Sequence, residues 1–236
     1  MNPIDSFLHK LSRYPICFPP DVYERHRFVA GRIHRDNTVL DVGGELGQLK
    51  KFSTAQKIVV ADLRQGDIQF DGKHLPLNDG SFSVVTAVDV LEHMQKSVRK
   101  AFIQELWRVT KNRLIVSFPL GTQKHVQAEK YEQHQLQHAG RSIPYLDEHV
   151  RHGLPTEQDA DIWLLRKPQK TFVGDYRLNR VFFRLHNADL PGFFGKLFFI
   201  CKLFFYVKVN LLFYPILIRI PRHEETNRIY LEWRKE

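Results

Sequence analysis

Residues 38–52 read TVLDVGGELGQLKKF, and this stretch decides how the rest of the chain is read. A short β-branched apolar run carries Asp41 near its end, breaks into glycines at 43, 44 and 47, and resumes with helix-like spacing. Strand, glycine turn and helix in that order suit a nucleotide-like ligand, because glycines let the backbone come close and the helix start offers free N–H groups. A second apolar run, KIVVAD, ends in Asp62, at about the twenty-residue offset where a carboxylate can accept both hydroxyls of a ribose. Glu45 stands among the glycines where a small residue is expected. GGELGQL lacks the G-x-G-x-x-G spacing that seats a pyrophosphate, which argues against a dinucleotide.

Outward from this point the chain alternates. KIVVADL, IQF, FSVVTAVDV and RLIVSFP are short apolar runs, with a basic helical segment, QKSVRKAFIQELWRV, before the last. Such alternation predicts βαβ units and an α/β fold with a doubly wound, mostly parallel sheet. Two short helices, over 5–13 and 21–35, precede it as an N-terminal lid spanning 1–37. The core is expected over 38–185, interrupted at 121–155 by a polar, histidine-rich insertion suited to selecting a substrate. TEQDADIWLLR, from Thr156, has the acids-first signature of a helix. Late strands are expected over 170–185 and 227–235, separated by an apolar aromatic insertion over 186–226.

In order and spacing, VLDVGGELGQL, VVADL, FDGKHLPLNDGSFSVVTAVDVLEHM and ELWRVTKNRLIVSFP resemble the class I S-adenosylmethionine-dependent methyltransferases. The likeness is to the type 11-like subgroup with LPF, SFD and VLEH motifs, and it covers about residues 38–120. It implies a Rossmann-like, seven-stranded sheet with a C-terminal antiparallel strand, and S-adenosyl-L-methionine as cofactor. It further implies that Asp41, Gly43 and Gly47 shape the methionine end of the site, where Glu45 would either accept a hydrogen bond from the cofactor's ammonium or crowd its carboxylate, and that Asp62 holds the ribose. Asp71 and Gly72 would meet the adenine, while Val88, Asp89 and His93 would border the methionine. Glu45 for a glycine and Ser83 for the aspartate of SFD depart from the pattern. Glu45 is the best argument for the rival reading, a binding or scaffold protein that kept the fold and lost the chemistry. YLDEHVRHGLP resembles methyltransferases of bacterial surface-polysaccharide synthesis, which points to a sugar hydroxyl or lipid-linked glycan as acceptor. A quinone-like lipid and RNA are the other acceptors in view.

Methyl transfer to a hydroxyl needs proximity and a base. His125, His149 and Glu148 are the candidates within the insertion. His125, His134, His138, His149 and His152 also raise the question of a metal. They fall in no HExxH-type motif and no cysteine accompanies them, so no metal is expected.

Lys and Arg exceed Asp and Glu by nine, which favours acidic partners without choosing among them. No base-reading motif accompanies the basic helix, which argues against nucleic acid. Cys17 and Cys201 lie far apart, which points to a reducing compartment. The N-terminus shows no signal-peptide core, so a cytoplasmic location is expected. Residues 191–220 hold seven of the eighteen Phe, interspersed with Lys196, Lys202, Lys208 and Arg219. Charges and Pro215 interrupt every span-length window. The segment is expected to pack as core, join a homodimer, or rest on the inner face of a membrane, with contact outside the core preferred.

Overall fold

The computed structural model describes residues 10–44, 47–188 and 191–235. The lid begins with a 3-10 turn, Pro15–Cys17, and helix α1, Pro20–Ala30, which starts on a proline and ends five residues short of the expected boundary. Most of the helix expected over 5–13 lies outside the described residues. The core elements follow as β1 Thr38–Val42, α2 Gln48–Phe52, β2 Lys57–Asp62, β3 Ile68–Gln69, β4 Phe82–Val88, α3 Lys96–Val109 and β5 Thr110–Pro119. The insertion folds into α4, Gln123–His138, and α5, Pro144–His152. Then come α6 Glu157–Asp161, β6 Gln169–Asp175, α7 Tyr176–His186, α8 Gly192–Leu212, α9 Tyr214–Leu217 and β7 Thr226–Arg234.

Among the described residues, seven strands form one sheet in the order β3-β2-β1-β4-β5-β7-β6. All pairings are parallel except those of β7, which runs antiparallel to both β5 and β6. Strand direction alternates side chains between the faces. Leu40, Val85 and Leu114 pack with Phe102 and Leu106 of α3 and with Trp163. Their neighbours Val39, Val84 and Ile115 pack on the other face with Phe28 and Val29 of α1. Helices on both faces explain why the central strands are apolar throughout instead of alternating.

Two expectations are corrected. The strand expected over 170–185 stops at Asp175, whose carboxylate accepts the N–H of Arg177 at 2.8 Å and caps α7. The helix expected from Thr156 is the short α6, closed by a capping box between Thr156 and Asp159. Ser83, a departure from the family pattern, sits at the opposite end of its strand from the glycine turn. Its hydroxyl accepts the N–H of Thr38 and donates to the carbonyl of Thr38, both at 2.8 Å, clasping the starts of β1 and β4.

Helix α8 turns two polar residues, Lys202 and Asn210, inward. Lys202, Leu203, Tyr206, Val209 and Asn210 are buried. Lys202 donates to the carbonyls of His186 and Ala188 at the C-terminal end of α7, where a cation suits the helix dipole. The Asn210 amide donates to Ile16 and Phe18 at 2.9 Å each. Phe204, Lys208, Leu211 and Leu212 occupy the outward face. No helix of the described residues is long and apolar enough to cross a membrane.

His26 of α1 is buried against Phe52, and its Nδ1 lies 2.9 Å from the Val22 carbonyl. Burial, reinforced by Arg25, pushes it down to about 3. An unfolded histidine takes its proton near 6.5. The unfolded chain therefore binds more protons between those values, and stability present above pH 6.5 is lost as pH falls through that window. We expect urea unfolding to lose on the order of 2 kcal/mol from this group between pH 7 and 5. In His26→Phe the pH slope should be shallower by that amount, and an unchanged slope would assign the acid sensitivity elsewhere.

Candidate active site

The sheet order reverses between β1 and β4, so the C-terminal ends of these strands splay apart and leave a crevice. A cavity of about 480 Å³ lies there, floored by Asp41, Gly43, Gly44, Gln48, Val88 and Asp89. Asp41 is buried, and burial pushes its carboxyl up to about 6 even though the Thr86 hydroxyl donates to it at 2.8 Å. Gly43 has φ +77, and a Cβ there would lie 2.3 Å from a methyl of Val90. A Cβ on Gly44 would lie 2.3 Å from Asp41 Oδ2. Both positions therefore exclude side chains and leave bare backbone facing the cavity. Gln48 Oε1 is buried without a hydrogen-bond partner among the described residues.

Gly47 caps α2 at φ +57 outside this floor. Glu45 lies outside the described residues. Asp62, at the end of β2, accepts the N–H of Arg64 at 2.9 Å, and Asp71 accepts that of Lys73 at 3.1 Å. Gly72 adopts φ +87 beside Met94. These three do not line the cavity; they follow the same sheet edge outward, beyond β2 and β3.

The insertion walls the other side. α4 and α5 are joined by Gln133 to Asp147 at 2.6 Å and by His149 Nδ1 to Glu129 at 2.9 Å. Arg180 of α7 reaches Glu132 at 2.5 Å, and Arg99 of α3 binds the carbonyls of His152 and Gly153. Thus His125, Glu129, Glu132, Tyr145 and His149 face the strand ends. His125 places Nδ1 3.0 Å from the Leu120 carbonyl and stacks on Tyr176; burial pushes it below the usual histidine range. Glu148 does not line the cavity; it holds His93 Nδ1 at 2.7 Å from a half-exposed position. The rings of His93 and His149 are 4.9 Å apart. Beside them, Glu92 is fully buried with both carboxyl oxygens unpartnered among the described residues, and burial pushes it up to about 8.

Sequence reasoning missed a buried ion cluster that roofs the cavity. Arg228 of β7 is 2% exposed; its guanidinium contacts Asp89 and lies 3.6 Å from Glu24 of the lid. Arg25 of the lid donates to the other Asp89 oxygen at 2.5 Å, and the Tyr230 hydroxyl donates to Glu24 at 2.5 Å. Asp89 holds φ +54, a left-handed conformation that aspartate tolerates better than most residues. The one visible signal was Arg228 itself, a cation inside an apolar strand.

Residues 32–117 match the family model described as a methyltransferase domain. No protein of curated function matches the chain. Among solved structures, MccD protein is similar at 13% identity and a TM-score of 0.52, over 92% of this chain and 99% of that one. A SAM-dependent methyltransferase from Archaeoglobus fulgidus is similar at 13% identity and a TM-score of 0.50, over 89% and 94%. Those likenesses establish the fold. Together, the doubly wound sheet with its antiparallel seventh strand and the methyltransferase domain matched over residues 32–117 support S-adenosylmethionine-dependent methyl transfer as the activity. Its cofactor is S-adenosyl-L-methionine. The bare glycine turn and the unpartnered Gln48 oxygen fit a ligand bearing an ammonium group.

Removing one partner of a buried ion pair costs roughly 3–5 kcal/mol, whereas an exposed pair contributes about 1 kcal/mol or less. Asp89→Asn, which leaves Arg228 with Glu24 alone, should lose about 3 kcal/mol in denaturant unfolding. Arg25→Ala, at the solvent-facing side of the cluster, should lose less than about 1 kcal/mol. Equal losses would mean that the two contacts are equally buried in solution.

Proposed function

We propose that the protein methylates a hydroxyl of a neutral sugar, carried on a cell-surface saccharide or its lipid-linked precursor. The observation that carries this reading is the cavity wall. Six carboxyl groups (Asp21, Asp41, Asp89, Glu92, Glu129 and Glu132) line it against three guanidiniums, with Tyr145, Tyr176 and Phe183 between them. Hydrogen-bonding groups suit hydroxyls, and aromatic faces suit the C–H faces of a sugar ring. A quinone-like lipid would leave the groups of that wall that have no protein partner, Glu92 and His149 Nε2, unpaired. An RNA phosphate would meet more negative than positive charge. The basic helix α3 gives RNA no support either, since Arg99 and Arg108 are committed to protein carbonyls and to Glu105 and Asp79.

In this reading Asp41, Gly43, Gly44 and Gln48 hold the methionine end of the cofactor, with Val88 beside it. Asp62 accepts the ribose hydroxyls, and Asp71 with Gly72 meets the adenine. Gly47 starts the helix whose N–H groups face the ligand. When bound, S-adenosylmethionine supplies a methyl group on a sulfonium, whose S–C electron pair stays on sulfur as the group leaves. His125, with Nδ1–H committed to Leu120, offers Nε2 to take the acceptor's proton as the oxygen forms its bond to the methyl carbon. Its lowered basicity keeps it unprotonated and ready at neutral pH.

Calorimetry with the cofactor and with S-adenosylhomocysteine tests the rival scaffold reading. Both should bind, and Asp62→Ala should weaken both about ten- to a hundredfold, the loss of charge-assisted hydrogen bonds. His125→Asn should leave this binding intact while lowering turnover about a hundredfold or more, measured as S-adenosylhomocysteine release with neutral saccharides, quinones and RNA offered in turn. No binding at millimolar concentration would reject the enzyme reading, and turnover on RNA or quinone alone would reject the acceptor.

We also propose that the outward face of α8 rests on the cytosolic side of a membrane, where a lipid-linked acceptor would be met. Phe204, Leu211, Leu212, Phe213 and Ile216 are all exposed, with Lys208 among them. Several such side chains entering a lipid interface gain roughly 25 cal/mol per Å² removed from water, a contribution that salt does not screen. Co-sedimentation with anionic vesicles should therefore persist at high salt and fall severalfold in a Phe204→Ser, Leu212→Ser, Phe213→Ser variant. Dimerisation without vesicle binding would reassign this face to a second copy of the chain.

A further inference from the structure

We propose that Glu92, His93 and His149 bind one divalent transition-metal ion, and that this ion seats the hydroxyl oxygen of the acceptor. One potential ligand atom from each residue lies within 4.8 Å of the other two. An ion with bonds of about 2.1 Å holds adjacent ligand atoms some 3 Å apart, so small side-chain rotations close the set.

Four features of these side chains point to a cation. Glu92 is fully buried, and both of its oxygens lack a partner among the described residues. A buried carboxyl in that state is costly unless something binds it. His149 is 7% exposed, and its Nε2 is likewise buried and unpartnered. Each imidazole is oriented by a carboxylate on its other nitrogen: Glu148 at 2.7 Å from His93 Nδ1, and Glu129 at 2.9 Å from His149 Nδ1. That arrangement fixes the tautomer, leaves Nε2 as the free lone pair and makes it a better donor, as the outer carboxylates of metal-bound histidines do. The exposed pair His134 and His138 has no such support; their Nε2 atoms are 3.0 Å from each other.

Two imidazoles and one carboxylate leave coordination positions open and suit zinc, manganese, iron or cobalt better than magnesium. The three residues line the cavity between its cofactor floor and its insertion wall. A hydroxyl bound there would lose its proton more readily, which would help His125 remove it. The seating role rests on the methyl-transfer reading above; the ion site itself does not.

The test uses the full chain, stripped with chelator and dialysed. Titration with Co²⁺, followed by its visible absorption, and with Zn²⁺ and Mn²⁺ by calorimetry should show one equivalent bound at micromolar or lower dissociation constant for at least one metal. Glu92→Gln and His149→Ala should each weaken binding a hundredfold or more. Glu148→Gln, at a half-exposed position where folding is not at stake, should weaken it about ten- to a hundredfold. His134→Ala with His138→Ala should change nothing. Absence of binding by all three metals overturns the site, as does binding lost in the His134 and His138 variant but kept in Glu148→Gln. S-adenosylhomocysteine titrated into the same stripped protein separates the two readings: if it binds while no metal does, the ion site fails and the methyltransferase stands.

Discussion

Arg228 is a charge that the fold has to neutralise. Its guanidinium lies inside the sheet, on β7 between β5 and β6, where an unpaired cation would cost several kcal/mol. Glu24 and Asp89 supply the compensation, and each comes from a different part of the chain: the lid helix and the end of β4. Asp89 takes a left-handed backbone conformation that puts one carboxylate oxygen against Arg228 and the other against Arg25. The lid, the switch point of the sheet and its terminal strand are thereby held in one register, and the roof of the cavity is set by that register.

Around this cluster the two halves of the site are built by different means. The floor is backbone: glycines too crowded to carry a side chain, at the ends of strands whose positions the sheet dictates. The wall is side chain, carried by helices α4 and α5, which are held by hydrogen bonds instead of a deep core. Few of their residues are buried, so Arg99, Arg180 and Gln133 do the positioning that apolar packing does elsewhere.

How much of this was legible in the sequence follows from the range of the interactions. Strand β1, its glycine turn and the succession of strands along the chain could be read because their signals are local: β-branched runs, glycines at fixed offsets, acids at strand ends. The boundary at Asp175 was misread because VFF and LNR suit a strand as well as a helix, and the cap that decides between them is one side chain. The lysines of α8 could not be told apart by spacing, since Lys202 is internal only because the end of α7 happens to lie against it. Glu92 and His149 were readable as residues but not as neighbours. Their meeting depends on α5 folding back over the strand ends, and Arg99, read as part of a basic helix, is what holds it there.

The separation of floor from wall has a consequence for how such a molecule can diversify. Residues that would grip the adenosine half of the cofactor run outward along the sheet edge, past β2 and β3, and among the described residues share no hydrogen bond with α4, α5 or α7. Much of the insertion can therefore be rewritten without disturbing the grip on the adenosine half of the methyl donor; Glu148, which holds His93, is the exception. Acceptor choice is modular in this architecture: a lineage could retarget the enzyme by editing two short helices, while the sheet that bears them keeps its sequence.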